Sequence, residues 1–287
     1  MTGNGRAMGP FVTRRDVMMG GLAFAVLCKW GLPLRAAESE TLTLSGKPAQ
    51  GGLVLGHVPE GSRVWVSDEP VRADGGLFCF GFNYNDTEAV PVRVAYPGGL
   101  SETRMVTPSP REFDIQRIDG LPEQYVSPPA EVAERIARDA RVVVEARMFD
   151  SNETWFAEEL AWPIQGIITG NFGNQRVLNG EPRAPHYGVD IAASEGTAIA
   201  APTGGIVRLA EDLYLSGNTM VIDHGHGVST SYLHMSRMEV AVGDRLSRGD
   251  IIGRVGATGR ATGPHLCWRM NWFQKRLDVA LAASARA

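Results

Sequence analysis

The chain has 287 residues, 44% of them hydrophobic and 21% charged, which excludes a wholly disordered or collagen-like polymer and leaves room for two domains with buried cores. A formal net charge of −4 gives no general basic field for gathering phosphates, so binding to nucleic acid through bulk electrostatics is not expected. Three cysteines, Cys28, Cys79 and Cys267, are too few to build a disulfide scaffold.

The first segment reads as an address. Thr13-Arg14-Arg15-Asp16-Val17-Met18-Met19 precedes a short apolar stretch from Gly20 to Leu27, and the small residues Ala36 and Ala37 follow Pro33. Residues 1–37 therefore resemble a twin-arginine export signal, which predicts a periplasmic location. Lys29 interrupts the apolar run, which falls well short of the roughly 20 residues that span a bilayer, so no stable membrane anchor is expected. Removing residues 1–37 leaves two cysteines, Cys79 and Cys267, in a compartment where disulfides persist.

From Thr41 onward short β-like runs alternate with turn residues: Gly52 to Val58, Arg63 to Val66, Leu77 to Phe82, Val90 to Tyr96 and Glu112 to Ile118. Residues 41–118 are expected to form a small antiparallel β-sandwich, an accessory domain with no gathering of catalytic residue types. The period then changes. Ser127 is suited to cap a helix and Pro128 to its first turn, while Val132, Ile136, Ala140 and Val143 share one helical face, so residues 127–150 read as a helical linker. Seventeen of the 34 glycines fall between Gly166 and Gly263, and five of the six histidines between His186 and His265. Residues 163–281 are accordingly a turn-rich β unit in which imidazole is concentrated, with strands read at Gly204 to Val207, Thr219 to Ile222 and Ile251 to Val255.

Within that unit His186 and Asp190 stand four apart, a spacing that puts both side chains on one face of a strand or a helix. Both are good zinc donors, but the pair alone is weak, because a metal site needs its full ligand count. Two further segments strengthen it. His234 lies in the β-like run Ser231 to Ser236, and His265 and Cys267, two apart, share one strand face. His224 and His226, in a glycine-rich turn, read as structural.

These residues resemble the lysostaphin-type (LytM-like) zinc endopeptidases of bacterial cell walls, over about residues 163–281. The resemblance is carried by Asn171-Phe172-Gly173 and Arg176, His186-Tyr187-Gly188-Val189-Asp190, Ala201-Pro202, Asp223-His224-Gly225-His226-Gly227, Tyr232-Leu233-His234, Gly253-Arg254-Val255-Gly256 and Gly263-Pro264-His265-Leu266. It implies a mainly β fold in which a C-terminal twisted antiparallel sheet carries a narrow substrate groove. It also implies hydrolysis of peptide cross-links in peptidoglycan stems. A looser match at Arg111 to Arg117 is to the accessory part of exported proteobacterial members. By position, His186 and Asp190 match the first two zinc ligands, His265 the general base, and His234 the histidine that steadies the water or the developing oxyanion. Arg176 borders the groove, where it either orients a substrate carboxylate or pins a loop.

The sequence departs from the family at the third ligand, where Cys267 replaces a histidine. Three readings stay open: a thiolate ligand that keeps zinc but makes it a weaker Lewis acid; a disulfide with Cys79 that removes the ligand; or a free buried thiol in an inactive domain. The rival to a peptidase is thus a non-catalytic wall-binding module that regulates a partner hydrolase. Gly243 to Gly259 also has the look of a lipoyl-carrier hairpin, but it has no lysine at the turn.

Overall fold

The computed structural model describes residues 41–285, and the twin-arginine-like segment 1–37 and Cys28 lie outside them. No helix among the described residues is long and apolar enough to cross a membrane.

The chain opens with β1 (Thr43–Gly46), β2 (Leu53–His57), β3 (Arg63–Val66), β4 (Glu69–Val71), β5 (Leu77–Gly81), β6 (Val90–Ala95) and β7 (Ser101–Val106). They form a three-stranded sheet, β1-β2-β5, and a four-stranded sheet, β4-β3-β6-β7, with every pairing antiparallel. Period-two alternation explains the stacking: Val64, Val66, Val92 and Val94 are buried while Arg63 and Arg93 face out. Those valines meet Val54, Phe78, Phe80 and Phe82 of the other sheet in one core, the sandwich that the sequence predicts.

The segment after the sandwich behaves differently from the expected strand Glu112 to Ile118. Only β8 (Ile115–Ile118) is extended, and it leaves the sandwich to pair in parallel with a strand of the C-terminal half. Helix α1 (Glu123–Val126) follows and ends at Ser127, whose backbone closes it; Ser127 caps no following helix. A 3-10 turn at Ala130–Val132 leads into α2 (Ala133–Ala146), which lays Val142, Val143 and Ala146 against the central sheet.

The remaining elements are β9 (Ile167–Gly170), β10 (Gln175–Leu178), β11 (Glu181–Pro182), β12 (Val189–Ala192), β13 (Ala198–Ala200), β14 (Gly205–Leu213), β15 (Gly217–Gly225), β16 (Val228–Met235), β17 (Arg237–Met238), β18 (Arg245–Leu246), β19 (Ile251–Arg254), β20 (His265–Trp272), β21 (Lys275–Leu277) and α3 (Val279–Ala282). The central sheet runs β18-β14-β15-β16-β20-β12-β9, with β21 beside β20. Alternation along β20 and β12 decides what faces what. Leu266, Trp268, Met270, Val189 and Ile191 enter the main core, so the intervening His265, Cys267, Arg269 and Asp190 share the opposite face. Asp190 pairs with Cys267 across β12 and β20, and Leu233 with Cys267 across β16 and β20. Arg111 joins the sandwich end to the sheet, donating to Gln50 O at 3.0 Å and to Asp278 Oδ2 at 2.7 Å.

Candidate metal centre

Strands β12 and β20 and the loop before β12 bring His186, Asp190 and Cys267 together. Their ligating atoms all lie within 4.8 Å of one another. His186 Nε2 is 3.1 Å from Asp190 Oδ1 and 3.4 Å from Cys267 Sγ. The other ring nitrogen, Nδ1, lies 3.3 Å from Asn171 O, and a carbonyl can only accept, so Nδ1 carries the proton and Nε2 presents a bare lone pair. Asp190 Oδ1 is buried and receives no hydrogen bond. A lone pair, an unsatisfied carboxylate oxygen and a thiol therefore converge with no donor sufficient for all three, which is the chemistry that a cation resolves. His, Asp and Cys make a mixed set suited to zinc, with a fourth position left for water or substrate.

The surroundings hold that set in place. Arg176, on β10, donates from Nη2 to Asp190 Oδ2, fixing the carboxylate from behind. Gly170 makes room for it, since a Cβ there would lie 2.6 Å from Asp190 Oδ2. Burial by itself raises the Asp190 carboxyl, but the attraction of His186 in its protonated form, and then of Arg176, outweighs it and holds the group well below the usual carboxylate range. Burial pushes the Cys267 thiol up to about 11, although Arg269 Nε lies 3.3 Å from its sulfur. Burial also lowers His186, keeping it neutral and able to ligate.

His234 and His265 overlook this cluster, with ring centroids 4.8 Å apart. His265 donates from Nδ1 to Gly263 O at 2.9 Å, and its Nε2 stands 3.9 Å from Asp190 Oδ1. His234 donates from Nδ1 to Thr258 O at 2.8 Å. It adopts φ of 64°, a left-handed backbone uncommon outside glycine and typical of strained functional positions. Burial, with the charge of His265 next, lowers His234 to about 3, so it is a neutral ring whose Nε2 accepts. These two rings and Asp190 line a groove of about 300 Å³ together with Gln116, Thr169, Arg176 and Arg260. Gln116, on β8, and Arg260, in the loop before β20, were not singled out by the sequence, because only the pairing of β8 with β10 and the path of that loop bring them to the groove.

The disulfide between Cys79 and Cys267 is not formed. Both thiols are free and buried. Cys79, on β5, donates towards His226 O at 3.7 Å, whereas Cys267, on β20, faces His186, so each sulfur is committed to a different layer. His224 is structural, as expected: it donates to Gly204 O at 2.7 Å and accepts from Thr230 Oγ1 at 2.7 Å.

Residues 184–279, which contain His186, Asp190, His234, His265 and Cys267, match the model of Peptidase family M23. This segment is an M23 peptidase domain. A crystal structure from Pseudomonas aeruginosa whose name places it with peptidase M23 superposes with a TM-score of 0.64 at 26% identity, covering 84% of this chain and 96% of that one. The peptidoglycan DD-endopeptidase ShyA of Vibrio cholerae is 40% identical over 104 residues, which are 36% of this chain and 24% of the relative. The DD-carboxypeptidase/endopeptidase Mpg of Neisseria meningitidis is 42% identical over 81 residues, 28% of this chain and 19% of the relative. The match thus spans a quarter or less of these curated relatives. The sulfur of Cys267 stands beside His186 and Asp190 at the position where the resemblance expects a histidine, and it is not bridged to Cys79.

Proposed function

We propose that the chain is a zinc-dependent endopeptidase that hydrolyses peptide cross-links of peptidoglycan in the periplasm, after export by the twin-arginine route. The observation that carries this is the convergence of His186, Asp190 and Cys267 beneath two imidazoles, His234 and His265, whose Nδ1 atoms are each tied to a backbone carbonyl. The names of the M23 relatives, DD-endopeptidase and DD-carboxypeptidase/endopeptidase, supply the substrate class. Zinc held by His186, Asp190 and Cys267 would polarise the scissile carbonyl and acidify an attacking water.

The chain's own side chains account for the proton. With Nδ1 tied to Gly263 O, His265 turns a bare Nε2 toward the groove and takes the proton of the attacking water, then returns it to the leaving amine. His234 is tied to Thr258 O in the same sense, so its Nε2 accepts as well. A neutral imidazole in that tautomer cannot donate to an oxyanion; of the two roles that the resemblance allows, His234 orients the water. Arg176 positions Asp190, and so belongs to the support of the site.

The test is direct. Purified protein is expected to retain about one zinc and to release cleaved peptides from cross-linked muropeptides, and His186→Ala to lose both. Full cleavage by His186→Ala overturns the reading. Activity that appears only in Cys267→His would point to the regulatory wall-binding module instead.

A further inference from the structure

Behind the groove lies a second cavity, about 310 Å³, between α2 and the central sheet. It shares Arg176, His234 and Arg260 with the groove, so the two spaces adjoin. Its inner wall carries three more guanidinium groups, Arg147, Arg269 and Arg276. Arg147 follows α2 and is only 4% exposed, and its Nε is buried without a partner; it makes no hydrogen bond or ion pair with any described residue through its side chain. The C-terminal end of α2 is a favourable place for a cation, but only the backbone N–H of Arg147 meets the last carbonyls. Arg276 Nη1 is likewise buried and unpartnered. Burial and the charges of Arg276 and Arg269 push Arg147 well below the usual guanidinium range, which reports how little negative charge stands nearby. The carboxylate in the lining, Asp139, is taken by Tyr214 N–H at 2.7 Å and by Arg138 at 3.2 Å.

A buried, unpaired guanidinium is costly, and several facing one another are more so. The rest of the lining is largely aliphatic, with Ile136, Ala140, Val143 and Leu213. Planar forks in a largely apolar cavity fit a carboxylate beside a small side chain better than a hydrated phosphate. We propose that this cavity binds the terminal carboxylate of a peptide whose remaining length lies in the adjoining groove, with Arg147 and Arg276 as its partners. The peptide source of the carboxylate rests on the proposed function; the anion site itself rests on the arginines alone.

Calorimetric titration of the full chain, with zinc and with zinc withheld, separates the two. The probes are N-acetyl-D-alanyl-D-alanine, its C-terminal amide, acetate and inorganic phosphate. The acid is expected to bind at least about tenfold more tightly than the amide in both forms, equivalent to 1.4 kcal/mol. Arg147→Met and Arg276→Met are each expected to abolish that preference. Arg147→Met removes an unpaired buried charge, so its melting temperature should not fall. Acetate should compete with the acid and phosphate should not displace it at equal concentration. Equal binding of acid and amide by the wild-type chain, an intact preference in Arg147→Met, or tighter binding of phosphate overturns the proposal. A protein that prefers the acid without zinc, yet cuts no muropeptide, keeps this site and loses the peptidase reading.

Discussion

The N-terminal sandwich and the M23 sheet are both antiparallel and both well buried, but they bury different things. The sandwich core is aliphatic and aromatic, from Val54 and Val64 to Phe78, Phe80 and Phe82. The M23 sheet buries His186, Asp190, Asp223, His224 and His234, and has Arg147 pressed against it from α2. Ionisable groups are expensive to enclose, so a fold that encloses many in one sheet and none in the core of the other separates scaffold from chemistry. Substitutions should divide along the same line: stability without chemistry in the sandwich, and chemistry before stability in the M23 sheet.

The widest separation is expected at the metal donors. His186→Ala, or removal of zinc by a chelator, should lower cleavage of cross-linked muropeptides by about a thousandfold or more, several kcal/mol of transition-state stabilisation, and zinc restored to the wild-type protein should recover it. Phe80→Ala is the counterpart. It empties the middle of a core in which Phe80 packs on Phe82 with ring centroids 5.7 Å apart, and should cost about 3–5 kcal/mol in urea unfolding, with zinc per folded molecule unchanged. Loss of zinc in Phe80→Ala would mean that the sandwich supports the metal centre directly.

Strand periodicity made much of this readable beforehand. Arg63 to Val66 and Val90 to Tyr96 alternate plainly, and the two-residue spacing of His265 and Cys267 fixed their common face. The four-residue spacing of His186 and Asp190 pointed to their pairing, although His186 lies in the loop before β12 and not on one strand face with Asp190, and Cys267 as a ligand needed the family pattern, since spacing alone cannot choose among zinc, a disulfide and a free thiol. The parallel pairing of β8 with β10 was invisible because it joins residues 60 apart in the chain. Arg147, Arg269 and Arg276 were invisible for a similar reason: helix end, β20 and β21 each supply one cation, and on its own each reads as an ordinary surface charge. The tautomer of His234 needed the position of Thr258 O.

A smaller effect sharpens the division within the M23 domain itself. Arg176 touches the metal donors only through Asp190, so Arg176→Met should leave the fold intact while lowering zinc affinity about 10- to 100-fold, the range for groups that orient a ligand. Competition with a zinc-binding dye reads the change. An unaltered affinity would assign Arg176 to the substrate side of the groove, and the loss would then fall on KM.

The smallest effect is set by acid. His224 is sealed between Gly204 O and Thr230 Oγ1, and burial lowers its pKa below the ordinary value of about 6.5 that it regains on unfolding. Above that pH both states are neutral and the group contributes nothing to the slope. As pH falls through about 6.5 the unfolded chain takes up a proton that the folded sheet refuses, so stability declines by up to about 1.4 kcal/mol per pH unit for this residue. His186 and His234 are lowered in the same direction and add to the decline in metal-free protein. His224→Gln keeps a donor for Gly204 O and removes one titrating site, so the slope of unfolding free energy between pH 6 and pH 5 should become shallower. An unchanged slope would mean that the folded sheet opens enough at His224 to admit the proton, a mobility that the sandwich core, with no ionisable group inside it, has no means to express.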